Sequence, residues 1–113
     1  MGRAGLIQNR LTADGSITGA VCFKGWLRQI LITCDSGGVG FVYIYDDSGG
    51  VSGNPIFSAA VGPGGINPSV GTGYANGEST YPFPFPGAGV RFENGMYLDM
   101  SGGVTVVQAY WDS

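Results

Sequence analysis

Residues 89–111 read GVRFENGMYLDMSGGVTVVQAYW, and this stretch predicts how the chain folds. Apolar residues recur at every second position in its short runs, the period that turns one side of a β-strand toward a core. Asn94-Gly95 and Gly102-Gly103 separate the runs, and such dipeptides typically form tight turns between strands. The stretch therefore predicts short antiparallel strands that share one apolar face.

The loop at Asn94-Gly95 sets the predicted register of these strands. A two-residue turn would place Val90 on the same face as Asp99, whereas a longer loop with Gly95 in the left-handed conformation places Val90 opposite Leu98. The predicted opposing pairs are Phe92–Met96, Val90–Leu98, Arg91–Tyr97, Leu98–Val107 and Met96–Ala109. A meander results, and its outer face carries Arg91, Tyr97, Val106 and Tyr110. We expect another strand or another subunit to cover that apolar outer face.

The rest of the chain repeats this pattern of short runs and turns. Turn signals follow one another closely, for example at Asp14-Gly15, Asp35–Gly38 and Asp46–Gly50, and leave little room for a helix. The intervening runs are rich in β-branched and aromatic residues, and about eight of them are typical of a β-sandwich or jelly roll. We predict an all-β, single-domain, jelly-roll-like β-sandwich over residues 15–113, with little or no helix.

Two segments do not fit this pattern. Residues 1–14 have few apolar residues and are predicted to form an extended N-terminal arm. Residues 62–79, GPGGINPSVGTGYANGES, have too many glycines and prolines for a strand and are predicted to form a long glycine-rich loop. Arm and loop are the places where such a domain could reach a neighbouring protein.

Composition limits the possible functions. The chain has 113 residues, a net charge of −3 and no histidine, and its five basic residues are far apart in sequence. A nucleic-acid partner is not expected, because nothing indicates a basic stripe. No run of about 18 apolar residues indicates a membrane span, and residues 1–10 lack the apolar centre of a signal peptide. We predict a protein that is made in a cytoplasm and binds no membrane.

Catalysis, metals and cofactors are not predicted either. Without histidine the chain lacks the commonest catalytic base, and Lys24 is its sole lysine, placed at a strand end. Asp46 and Asp47 point to opposite sides if they lie on a strand, so they do not form a catalytic carboxylate pair. The run Asp46–Gly50 could offer oxygens to calcium but lacks the EF-hand pattern. Cys22 and Cys34 lie in apolar runs and are predicted to be small buried residues, with their redox state left open.

The last third of the chain resembles a group of small virion proteins of tailed bacteriophages. The motifs are Pro-Gly-Ala-Gly-Val-Arg-Phe at 86–92, Gly-Met-Tyr-Leu at 95–98, and Val-Thr-Val at 104–106 followed by Tyr110. The strands at 26–33 and 41–45 are similar to the first half of that group, so the likeness covers most of residues 16–111. The resemblance implies a virion component, either a capsid decoration (cement) protein or a small fibre subunit.

From this resemblance we expect a bacteriophage capsid decoration protein that lies on the outer capsid surface, binds the major capsid protein and stabilises the shell. We expect a homo-oligomer, with a trimer favoured, because subunit interfaces are enriched in aromatic residues. The residues predicted to contact the capsid or other subunits are Leu6, Ile7, Leu11, Ile66, Val70, Tyr74, Tyr97, Tyr110 and Trp111. Alternatively, the chain is a receptor- or glycan-binding module of a tail or head fibre, in which Tyr74 and Tyr81 form the sugar platform.

Overall fold

The computed structural model describes residues 7–19, 24–34, 39–62 and 79–112, and no helix occurs in these ranges. The strands are β1 (Ile7–Leu11), β2 (Gly15–Ser16), β3 (Gly25–Cys34), β4 (Gly40–Tyr45), β5 (Phe57–Val61), β6 (Ser79–Pro84), β7 (Val90–Phe92), β8 (Tyr97–Gly102) and β9 (Val104–Asp112). They form two antiparallel sheets, so the predicted all-β sandwich is confirmed.

The larger sheet has five strands in the order β1-β9-β3-β6, and β7 also pairs with β3. Strand β3 is ten residues long, so one of its edges accommodates both β7, at Gly25–Leu27, and β6, at Gln29–Cys34. The smaller sheet has four strands in the order β2-β8-β4-β5. The partners of β8 and β9 thus lie in different sheets, although Gly103 alone separates these two strands in sequence.

The core lies between the two sheets and is built from every second residue of each strand. In β3 the buried residues Leu27, Ile30 and Ile32 alternate with half-buried ones, after a bulge between Leu27 and Gln29. From the smaller sheet Val42, Ile44 and Leu98 face them. The other buried apolar residues are Ile17, Cys34, Val61, Phe92, Met96, Val104, Val107, Ala109 and Trp111.

The predicted meander of residues 90–111 is wrong. Strand β7 pairs with β3, β8 pairs with β2 and β4, and β9 pairs with β1 and β3. The turns at Asn94-Gly95 and Gly102-Gly103 therefore carry the chain from one sheet to the other instead of closing hairpins. The predicted left-handed conformation of Gly95 is confirmed, with φ of 88°. The predicted inner residues are buried as well, except Val90, which is half-buried against the core, because both arrangements turn the same side of each strand toward the core.

The predicted N-terminal arm is wrong for residues 7–11. These residues form edge strand β1, which pairs with β9 from Ile7–Trp111 to Leu11–Val107. Leu11 packs against the core, and Asp14 accepts a hydrogen bond from the backbone N–H of Met100 at 2.8 Å. This segment is therefore part of the sandwich. Residues 1–6 lie outside the described ranges, as do residues 63–78, most of the predicted glycine-rich loop.

Candidate functional site

The two outer sides of the sandwich are the candidate functional surfaces. We call the outer side of the larger sheet the five-stranded face and the outer side of the smaller sheet the four-stranded face. Because directly opposed residues of neighbouring strands point to the same side, the register assigns each residue to its face. The described ranges contain no cluster of His, Cys, Asp or Glu that could hold a metal ion.

The five-stranded face carries large apolar side chains across neighbouring strands. In one row across the sheet, Tyr110 of β9 lies opposite Gln29 of β3, which lies opposite Pro84 of β6. Two residues further along β3, Leu31 lies opposite Pro82 and points to the same side. The apolar members of this face are Trp26, Leu31, Val106 and Tyr110, all half-buried, with the exposed Pro82 and Pro84. Half-burial of such large side chains on an outer face leaves apolar surface that a partner could cover.

Prolines in β6 also determine whether a further strand can pair with the outer edge of this sheet. Strand β6 pairs with β3 on one side only among the described strands, so its other edge is an outer edge of the sheet. Proline has no N–H to donate, and prolines at alternate positions 82 and 84 remove donors along one side of the strand. This edge is therefore poorly suited to pairing with a further strand. A partner on this part of the surface would contact the face rather than extend the sheet.

Arginines mark the end of the five-stranded face near Trp26. The guanidinium of Arg91 lies 5.0 Å from the centroid of the Trp26 ring, and its Nε lies 3.5 Å from Glu93 Oε2. Arg28, in the β3 bulge, pairs with Asp112 at 2.8 Å. Arg10 lies on the same face, opposite Gln108, and is exposed. These are all the arginines of the described ranges, so the positive charge of the strands is on this side.

The four-stranded face has a row of aromatic residues on β4. Phe41, Tyr43 and Tyr45 lie at alternate positions and point outward, because Val42 and Ile44 between them are buried in the core. Tyr45 is only 9% exposed, whereas Phe41 is 41% exposed. The open part of the row is therefore Phe41 and Tyr43.

A shallow groove runs beside this open part. It has a volume of about 300 Å³ and is lined by Phe41 and Tyr43 of β4 and by Ser58, Ala59 and Ala60 of β5. The groove exists because Ser58 and Ala60, which lie opposite Tyr43 and Phe41, are small residues beside two large rings. On the other side of β4, Asp99 lies opposite Tyr43 and Ser101 lies opposite Phe41. Aromatic rings and polar groups therefore alternate across three strands.

The acidic loop between β4 and β5 has a structural role. Asp46 Oδ1 accepts hydrogen bonds from the backbone N–H groups of Glu93 and Asn94, at 2.9 and 2.7 Å, and ties the loop to the turn after β7. Asp47 Oδ1 accepts one from Gly49 at 2.7 Å, a local turn of the kind that aspartate commonly forms. These hydrogen bonds give Asp46 and Asp47 a structural role, in the run of residues that the sequence suggested as possible calcium ligands.

The structure separates the residues that were expected to form one contact surface. Trp111 was expected in a contact, but it is 4% exposed and packs edge-to-face against Phe92 in the core. Tyr110 lies on the five-stranded face and Tyr97 on the four-stranded face, so the expectation that they share a face is wrong. Ile7, 41% exposed, lies at the sandwich edge, while Leu11 is half-buried against the core.

The other predicted contact residues, Leu6, Ile66, Val70 and Tyr74, lie outside the described residues. The alternative prediction was a sugar platform formed by Tyr74 and Tyr81, and the structure does not support this role for Tyr81. The ring of Tyr81 packs against the core, and its hydroxyl donates a hydrogen bond to the carbonyl of Gly62. Cys34 is fully buried, as predicted. Cys22 lies outside the described ranges.

Sequence reasoning missed the groove beside Phe41 and Tyr43. The signal was present in FVYIY at 41–45, where aromatic residues occupy every second position. That run was interpreted only as a strand, because aromatic residues in strands are most often part of a core. Which aromatic residues are outward depended on the pairing of Ile44 with Leu98 and Phe57 in the neighbouring strands, which the local sequence does not specify.

Comparison with protein-family models, with curated proteins and with solved structures finds no match. No helix of the described part is long and apolar enough to span a membrane.

Proposed function

We propose that the protein is a structural binding protein of a tailed-bacteriophage virion, a capsid decoration protein that attaches to the outer shell. The observation that carries this proposal is the five-stranded face, an outer sheet surface on which Trp26, Leu31 and Tyr110 are only half covered. A decoration protein performs no chemistry and requires a self-supporting domain with a surface that adheres to the shell. The motif resemblance of residues 86–110 supports the same role.

The chemistry of this face suits adhesion to another protein. Interface cores are enriched in Trp, Tyr and Arg, and Trp26, Tyr110 and Arg91 are grouped on this side. Arg10 is exposed and makes no ion pair within the described ranges, so it can meet a carboxylate of the shell. Such an exposed pair would fix orientation more than it would add affinity.

The proposed contact surface differs from the predicted one. Trp111 is removed from it because it is in the core, and Tyr97 because it is on the other face. The predicted trimer depended on these residues together with Tyr110, so the proposal is attachment to the major capsid protein, with no commitment to a trimer. Of the β1 residues, Arg10 lies on the proposed surface, opposite Gln108, whereas Ile7 lies opposite the buried Trp111 and therefore on the core side of the sheet.

Counting copies on purified virions tests the proposal. A shell-covering protein follows the repeating symmetry of the capsid and is expected in copies on the order of hundreds, whereas a fibre subunit is present in tens or fewer. Quantitative mass spectrometry against the major capsid protein gives this ratio. A count in the tens would favour the fibre alternative.

A matched pair of variants tests the surface. Leu31→Asp places a charge in the middle of the five-stranded face and should abolish occupancy when purified protein is added to bare capsids. Ser58→Asp makes a similar change on the opposite face and should leave occupancy unchanged. Circular dichroism and melting curves confirm that both variants fold. Equal occupancy of the two variants would contradict the assignment of the attachment surface.

A further inference from the structure

The groove on the four-stranded face combines apolar walls with the hydroxyls of Tyr43 and Ser58, which have no hydrogen-bond partner among the described residues. The rings of Phe41 and Tyr43 stand about 7 Å apart along β4, since a strand advances about 3.4 Å per residue. Ser58 and Ala60 leave open space beside the rings, and the resulting volume of about 300 Å³ is at the small end of ligand sites.

The carboxylate of Asp99 distinguishes this face from the rest of the surface. Every other carboxylate in the described ranges accepts a hydrogen bond or forms an ion pair: Asp14, Asp46, Asp47, Glu93 and Asp112. Asp99, half-buried opposite Tyr43, has neither within those ranges. The hydroxyls of Tyr43, Ser58 and Ser101 likewise have no hydrogen bond among the described residues. Donors and acceptors thus lie on both sides of two rings, and no described residue satisfies them.

We propose that this groove binds a neutral carbohydrate, one or two pyranose rings of a glycan chain. The apolar side of a sugar ring packs on an aromatic ring, while its hydroxyls donate to a carboxylate and exchange hydrogen bonds with tyrosine and serine. Lysine and arginine are absent from the groove lining and from positions 99 and 101 beside it, so sulfated or phosphorylated ligands would meet only the negative charge of Asp99. An uncharged polyhydroxyl ligand matches both the rings and the acceptors.

A protein partner fits this groove less well. A stable protein interface covers about 800 Å² on each side. The groove is lined by two aromatic rings and three small residues, which offer much less area than such an interface needs. The site is shallow, so we expect weak binding, with Kd on the order of 0.1 to 1 mM. Sugar binding here does not depend on the proposed attachment to a shell, because the two surfaces are on opposite sides of the sandwich.

The experiment is a nuclear magnetic resonance titration of the full-length, ¹⁵N-labelled protein. The probes are the neutral oligosaccharides cellohexaose, maltohexaose, laminarihexaose and chitohexaose, with a heparin hexasaccharide as the anionic control. We expect at least one neutral probe to cause saturable amide shifts at residues 41–43, 58–60 and 99–101, and the heparin fragment to cause none there.

Variants identify the contacts. Phe41→Ala and Asp99→Asn should each weaken the binding of the active probe about tenfold, because one removes a stacking ring and the other weakens an acceptor. Tyr110→Ala is the matched control, since it removes a half-buried outward aromatic residue from the opposite face, and it should bind normally. If Phe41→Ala is misfolded, Asp99→Asn, which preserves shape, decides the question.

Three results would overturn the proposal. One is the absence of saturable shifts with all four neutral sugars. Another is sugar-induced shifts confined to the five-stranded face. The third is the appearance of the same groove shifts on raising protein concentration without sugar, which would make this face a contact between copies of the chain. None of these results bears on whether the five-stranded face binds a capsid.

Discussion

Single glycines determine how closely the strands approach one another at the ends of the sandwich, because glycine has no Cβ. Gly89, just before β7, has φ of 91°, and a Cβ at this position would lie 2.2 Å from the carbonyl oxygen of Leu27. It therefore combines a backbone conformation that disfavours other residues with a contact too short for any side chain. The β3 bulge that contains Arg28 lies directly against this glycine, so the two irregularities fit together.

We expect Gly89→Ala to lower the free energy of unfolding by more than about 3 kcal/mol, since about 1 to 2 kcal/mol comes from the left-handed backbone and the clash adds to it. Gly53→Ala is the matched control, because Gly53 has φ of 65° but open space around its position. Gly53→Ala should lower the free energy of unfolding only by the contribution of the left-handed backbone. Urea unfolding of both variants gives the comparison, and equal losses would show that the contact at Leu27 is relieved by a small movement.

The two tryptophans show why residue type alone does not identify a surface. Trp26 and Trp111 are both near strand ends, and only Trp111 was predicted to contact the capsid or another subunit. Directly opposed residues share a side, so Trp111, opposite Leu27, points into the core, and Trp26, opposite Arg91, points outward. The bulge in β3 adds one residue, Arg28, between the pairs Leu27–Trp111 and Gln29–Tyr110, and no feature of the local sequence indicates it.

At the scale of strands, β1 is an integral part of the larger sheet. It pairs with β9 along its whole length, and Leu11 contributes to the core. Removing it would also expose the edge of β9, which is long and rich in valine and aromatic residues. An exposed, apolar strand edge is a template for pairing with other chains.

Deletion of residues 1–11 should therefore lower the melting temperature by several degrees and promote aggregation, because it removes both the packing of Leu11 and the cover of β9. Deletion of residues 1–6 leaves β1 whole and is the control. Differential scanning fluorimetry with light scattering measures both effects. If the longer deletion melts like the shorter one and stays dispersed, β1 is a dispensable arm after all.

The sequence predicted the strands and their inward residues but not the sheets that they join. Alternation placed Phe92, Met96, Leu98 and Val107 inside correctly, because it depends only on the two-residue period of a strand. A hairpin and a crossing between sheets have the same alternation and similar glycine turns. The choice between them is made by distant partners, such as β3 for β7 and β4 for β8. The same limit hid the groove, since Ser58 and Asp99 meet Tyr43 only through long-range register.

At the scale of the whole molecule, the sandwich has two chemically different sides. Arg10, Arg28 and Arg91 all belong to the five-stranded side, together with most of the half-buried outward apolar residues. The four-stranded side has the open aromatic groove and Asp99, the carboxylate without a partner in the described ranges. The core thickness of about 10 Å separates the two sheets, so one side can lie against a partner while the other remains open.

This two-sided arrangement predicts a pattern of chemical labelling on virus particles. Single cysteines are introduced by Tyr110→Cys on the five-stranded face or by Tyr43→Cys on the four-stranded face, in a Cys22→Ser background. The native Cys34 should not react while the protein is folded, because it is fully buried. In free protein, a maleimide reagent should label both introduced cysteines at comparable rates. On decorated capsids, labelling at position 110 should fall at least tenfold, because the proposed attachment places the shell over that face, while labelling at position 43 should be unchanged. Protection of position 43 with free access at position 110 would reverse the assignment of the two faces, and equal labelling of both on the particle would mean that neither face is covered by the shell.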